Sequence, residues 1–157
     1  MGSRGVLYHF APVRLGPCST VEPGNWGRIL KRFNLANPSF GNAWVLAREL
    51  VFEQLRPSVK PSRMSSCFVL QNQQDAELYS NVNDRNYLQV LHEVEYVDLA
   101  APSHVGDLSF LDFSEGSPFL DSTRSAAQSY WAGVTGAANR GTEIVAASAL
   151  RVVRSLE

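Results

Sequence analysis

Glu143 opens a short apolar segment, Gly141-Thr142-Glu143-Ile144-Val145, where a carboxylate adds nothing to a hydrophobic core and must serve something else. A fixed carboxylate is suited to stabilising positive charge that develops mainly in a transition state. Two other apolar segments carry groups of chemical interest, Leu7-Tyr8-His9-Phe10 near the start and Ser66-Cys67-Phe68-Val69 in the middle. A ring nitrogen of His9 can anchor a hydroxyl without transferring a proton, and the Phe68 ring can stack on a planar or cationic group. The basic residues are almost all of one kind, twelve Arg against Lys31 and Lys60. A guanidinium fork grips phosphate through two parallel hydrogen bonds, so a pyrophosphate-bearing ligand suits this set.

These groups need elements to position them. Residues 5–10 read as a strand, and the Pro, Gly and Ser residues from 12 to 27 read as a long irregular loop. Ala43, Leu46, Ala47, Leu50 and Val51 recur at helical spacing, which predicts a packing helix over about 42–55 that Pro57 stops. A strand over 64–70 feeds a helix over 73–79, with Asn72 as its cap and Asp75 in its first turn. Residues 87–97 alternate, with Leu88, Val90, His92, Val94 and Tyr96 on one face and Gln89, Glu93 and Glu95 on the other. Residues 98–120 are turn-rich, Ser122 caps a short helix through Trp131, and 132–141 is a small-residue loop. The strand holding Glu143 and an alternating strand over 150–156 close the chain.

Composition sets the bounds. The chain has 157 residues, 45% of them hydrophobic and 18% charged, which is enough to fold as one domain, 1–157, without disulfides or a structural metal. A net charge of -1 argues against nonspecific polyanion binding. Cys18 and Cys67 are too few for a disulfide framework, and no Cys/His pair stands at zinc-ligand spacing, so they read as ordinary thiols and no metal is expected. No apolar run approaches the roughly 20 residues of a spanning helix, and no basic-then-apolar leader opens the chain. The expectation is a cytoplasmic α+β protein with no membrane role. His92 and His104 read as structural or surface residues.

The three segments, taken in order, resemble the active site of the ADP-ribosyltransferases, enzymes that split NAD and transfer its ADP-ribose. His9 matches the histidine of their first strand, Phe68 the aromatic of a central strand where relatives often carry Tyr, and Glu143 the catalytic glutamate that opens a late strand. Gln73, Gln74, Asp75, Ala76 and Tyr79 are similar to the strand-to-helix element that these enzymes place under the nicotinamide. Ser65 and Ser66 resemble a second branch, but that branch carries Arg where this chain has His9.

The resemblance implies a split, mostly antiparallel sheet with flanking helices around an NAD cleft. It implies NAD as co-substrate, Glu143 as the catalytic residue, and a cofactor-binding set of His9, Phe68, Tyr8, Phe10, Ser66 and Tyr79, with Arg14 and Arg63 at the pyrophosphate. Arginine-modifying relatives often carry Glu two positions ahead of the catalytic one, and here that position is Gly141. That speaks against arginine-directed transfer and leaves nucleic acid, a different side chain or a small molecule; the expectation is a macromolecular acceptor, nucleic acid or protein, met by the loop over 132–142 as in toxin or phage-defence transferases, for which an inhibitory antitoxin is a further partner. Tyr130 and Trp131 read either as bases' stacking partners or, preferably, as residues buried beneath the sheet. The alternatives are a noncatalytic module for ADP-ribose or another nucleotide, and an antibiotic-modifying transferase.

Overall fold

The structure is a computed structural model that describes residues 5–32, 40–82, 89–112 and 116–156. Its elements are β1 (Leu7–Ala11), β2 (Thr20–Val21), α1 (Asn25–Leu30), α2 (Phe40–Gln54), β3 (Cys67–Val69), α3 (Gln73–Val82), β4 (Val90–Tyr96), β5 (Ser103–Asp107), α4 (Phe119–Ala132), β6 (Thr142–Ala146) and β7 (Leu150–Ser155). The strands form two antiparallel sheets, a four-stranded one in the order β1-β4-β7-β2 and a three-stranded one in the order β3-β6-β5. The fold is α+β.

Side-chain alternation decides what each face of the sheets meets. Cys67, Val69 and Ile144 of the three-stranded sheet pack with Val94, Leu150 and Val152 of the four-stranded sheet, so the sheets share one core. Val145, one residue on from Ile144, turns the other way, onto Phe52 of α2 and Ala127, Tyr130 and Trp131 of α4. Glu143 alternates with Val145 and so looks toward the helices. On β7, the exposed Arg151 and Arg154 pair with Glu95 and Glu93 of β4, a register shift between Glu93 and Val94 accommodating the odd three-residue spacing of the two arginines.

Among the described residues, a single rung links the sheets. Tyr8 and Leu70 exchange two backbone hydrogen bonds of 2.9 and 2.8 Å, after which β1 and β3 separate. The next backbone carbonyl on that edge, Phe68 O, is met at 2.8 Å by Nδ1 of His9. A carbonyl only accepts, so Nδ1 carries the proton and Nε2 keeps its lone pair.

Several boundaries differ from the sequence expectations. The strand expected from residue 64 starts at Cys67, because Arg63–Ser65 winds into a 3-10 turn whose cap, Ser62 Oγ, accepts from Met64 N at 3.1 Å. The helix expected from Ser122 starts at Phe119, and Ser122 Oγ bonds back to Pro118 O at 2.8 Å instead of capping. β2 and the start of α1 lie in the stretch expected to be loop, and β5 in the stretch expected to be turns. Tyr87 and Leu88 of the expected fourth strand lie outside the described residues. The 73–79 helix continues to Val82, and Asn72 Oδ1 accepts from Asp75 N at 2.8 Å as its cap. Among the described residues, no helix is long and apolar enough to cross a membrane.

Candidate functional site

Backbone geometry delivers Glu143 to its neighbours. Gly141 turns the chain into β6 with φ 80°, a left-handed conformation that suits glycine, and its carbonyl accepts from Leu108 N at 3.0 Å. Thr142 then leans on Asp75 of α3, its Oγ1 donating to Oδ2 at 3.3 Å. Opposite Glu143 on β5 stands Gly106, and a Cβ there would overlap the Tyr130 ring. The missing side chain lets Tyr130 lie against the sheet and donate its hydroxyl to Glu143 Oε1 at 2.8 Å.

The carboxylate is 6% exposed and belongs to a buried network. Nη1 of Arg63 donates both to Glu143 Oε1 and to the Tyr130 hydroxyl, the latter at 2.7 Å. Nε and Nη2 of Arg63 donate to the two carboxylate oxygens of Glu49 at 2.9 and 3.3 Å. Arg48 Nη2 reaches Glu49 Oε1 at 3.0 Å and Arg48 Nη1 reaches Leu111 O at 2.7 Å. The Arg63 guanidinium also lies 4.9 Å from the centre of the Phe68 ring and 5.2 Å from that of Tyr130. Glu143 Oε2 makes no hydrogen bond among the described residues.

The electrostatics follow from this packing. Burial opposes the charge on Arg63, but Glu143, the Tyr130 phenol and Glu49 outweigh it and hold its pKa well above the ordinary arginine value. Burial likewise works against ionised Glu49, and the Arg63 and Arg48 cations overcome it, leaving the pKa depressed. Burial raises the Tyr130 pKa well above the ordinary phenol value, and the Glu143 charge adds to this against the pull of Arg63. Tyr79 is raised first by burial and then by Glu143. Burial lowers the pKa of His9 despite its bond to Phe68 O, with a small push from His92 in the same direction.

The other sequence-derived candidates are placed as follows. Tyr8 is the rung between the sheets, and by alternation through Leu70 and Phe68 it and Phe10 share the face of Glu143. Phe10 stacks on Tyr79 with ring centres 5.5 Å apart. His9 belongs to the opposite face of β1, and its imidazole lies at the seam between β1 and β3. The pyrophosphate role expected of Arg63 is corrected by its position: it is 4% exposed and engaged with Glu49, Glu143 and Tyr130. Arg14 is exposed in the loop between β1 and β2. Ser66 is buried with its hydroxyl unpartnered among the described residues, and its carbonyl accepts from Gly24 N at 3.1 Å. A cavity of about 370 Å³ adjoins Thr142 on the β5 side, with Lys60, His104, Asp107, Gly133 and Thr135 in its walls.

Sequence reasoning missed Arg48 and Glu49. The apolar spacing of α2 pointed to Leu50 as a packing residue, yet Leu50 is 56% exposed and Glu49 is 1% exposed. The helix is rotated so that Glu49 meets Arg63, and Phe52 goes inward with it. The available signal was adjacent opposite charges at 48 and 49 in the middle of an apolar run, Ala43–Val51. Tyr130 and Trp131 are buried as preferred, Trp131 Nε1 donating to Phe52 O at 2.8 Å. His104 and His92 are also buried, with His104 Nε2 against Tyr130 O at 2.8 Å and Leu15 N donating to His92 Nε2 at 2.9 Å. Cys18 and Cys67 are free thiols, burial raising Cys67 to about 11. Among the described residues, no group of three or more His, Cys, Asp and Glu is placed to hold a metal ion.

No match was found among curated proteins. The family described as "Protein of unknown function (DUF2441)" matches residues 29–157, a span that contains the whole Arg48, Glu49, Arg63, Tyr130 and Glu143 network and leaves β1 with His9 outside it. The match covers most of the sequence, and the chain belongs to that family.

Proposed function

We propose that this chain is a mono-ADP-ribosyltransferase that cleaves NAD and passes ADP-ribose to a macromolecular acceptor, nucleic acid or protein. One observation carries the proposal. Glu143 Oε1 is clamped by Tyr130 and Arg63, while Oε2 has no bond among the described residues, on the face that also holds Phe68, Tyr8 and Phe10. A carboxylate fixed in this way needs no reorganisation when charge appears beside it.

In the proposed reaction the bond between nicotinamide and ribose breaks, its electron pair leaves on the nicotinamide nitrogen, and the ribose carbon gains oxocarbenium character. Glu143 Oε2 accepts a hydrogen bond from a ribose hydroxyl and stabilises that charge. Phe68 offers a ring to the nicotinamide, and Tyr79 with Phe10 forms an aromatic wall near the carboxylate. An acceptor oxygen or nitrogen then attacks the ribose carbon and releases its proton to solvent.

A second reading is a nucleotide-binding module without turnover. It is favoured by the Arg63 cation, which already neutralises much of the Glu143 charge that the transition state needs. Incubation with NAD labelled in its adenylate half, together with separate RNA, DNA and protein pools, tests the first reading. Label is expected in one pool and absent from the same pool treated with Glu143→Gln. Label in none of them, from an intact protein that still binds NAD, establishes the module instead.

A further inference from the structure

A second cavity, of about 310 Å³, lies between α2, the 3-10 turn Leu108–Leu111 and α4, with Trp44, Arg48, Phe110, Phe119, Ser125 and Ser129 among its walls. Its size is at the lower end of the range for small-molecule sites. The charged groups around it are already matched. Arg48 pairs with Glu49 at 3.0 Å, and Asp112 at its rim pairs with Arg140 at 2.9 Å. A charged guest therefore finds no uncompensated partner there, which points to a neutral one.

The walls offer two complementary surfaces. Phe110, Phe119 and the Trp44 ring, over which the Arg48 guanidinium lies at 4.9 Å, supply flat apolar and cationic area. Thr123, Ser125 and Ser129 of α4 bring hydroxyls that make no hydrogen bond among the described residues, and each hydroxyl both donates and accepts. Arg48 Nε is buried without a partner among the described residues. A flat, neutral guest with donors and acceptors along its edge fits both surfaces at once.

We propose that this cavity binds a nucleobase, presented either by a free nucleoside or by a single strand of nucleic acid. The site is separate from the Glu143 face and does not depend on NAD cleavage. It is joined to Glu143 by one unbroken series of side-chain bonds, Arg48 to Glu49 to Arg63 to Glu143, so a guest against Arg48 adjoins the network that fixes the carboxylate.

Isothermal titration of the full chain with adenosine, guanosine, cytidine, uridine and short single-stranded RNA and DNA tests the proposal. At least one probe is expected to bind, with affinity falling by about tenfold or more in Ser125→Trp, which fills the cavity from an exposed helix position. Phe68→Ala is expected to keep that binding, which separates this cavity from the NAD face. Binding of a nucleoside or of an oligonucleotide alone each supports the proposal and identifies the source of the base. Ser129→Phe repeats the test should the Trp variant lose its circular-dichroism signature. No heat with any probe, binding undiminished in a folded cavity-filled variant, or binding lost only in Phe68→Ala overturns it.

Discussion

At the scale of single residues, the network around Glu143 is held by compensation. Each buried charge has an opposite partner, and removal of one strands the others in a low dielectric. Arg63→Ala leaves Glu143 without a cation and Glu49 with Arg48 alone, and we expect a loss of about 3 to 5 kcal/mol in denaturant unfolding. Arg63→Lys is expected to recover only part of this, because an ammonium cannot span Glu49, Glu143 and Tyr130 as the fork does. The titrating groups give a pH signature. His9, His104 and Glu49 all bind protons more weakly in the folded chain than in the unfolded one. The unfolded chain therefore gains protons first as pH falls, and stability drops. The melting temperature should begin to fall below the ordinary histidine value of 6.5 and fall further below the ordinary glutamate value of 4.5. A melting temperature flat across both windows contradicts these environments.

At the scale of elements, the seam between the sheets and the close contact of β5 with α4 position the site. His9 Nδ1 takes the Phe68 carbonyl where the backbone ladder stops, so the imidazole ends the pairing of β1 and β3. His9→Ala removes that partner, and we expect a smaller NAD-induced thermal shift together with a lower melting temperature in the absence of NAD. Gly106→Ala pushes a methyl group into the Tyr130 ring. An overpacked substitution of this kind costs about 1 to 3 kcal/mol, read by urea unfolding, and should also loosen the hydroxyl that holds Glu143. Much of this architecture was legible in the sequence. The alternation of β4 and β7, the helix after β3 with its Asn72 cap, and the strand opened by Glu143 each follow from local pattern. β2, with two residues, and β5, with Gly106 and Asp107 in a strand, carry too little periodicity to be read locally. The face of α2 was misread because burial of Glu49 rests on Arg63, fourteen residues away in sequence, as well as on the adjacent Arg48.

At the scale of the whole molecule, two stacked sheets and the α2 and α4 layer confine the acidic site to the helix side of the three-stranded sheet. Sequence identified Glu143 and Phe68, which do lie on one face. It could not show that Arg63 would be drawn inside to neutralise the carboxylate, because that depends on packing among α2, α4 and β6. NAD binding should stabilise the folded chain by mass action, giving a melting temperature that rises with NAD concentration. The most direct measurement of the central claim is nicotinamide release from NAD by the intact protein and by Glu143→Gln, which keeps an acceptor for Tyr130 but removes the charge. Release by the wild-type chain and a fall of about 10²- to 10³-fold in the variant is the predicted result. Equal release from the two proteins contradicts it, and so does release from neither.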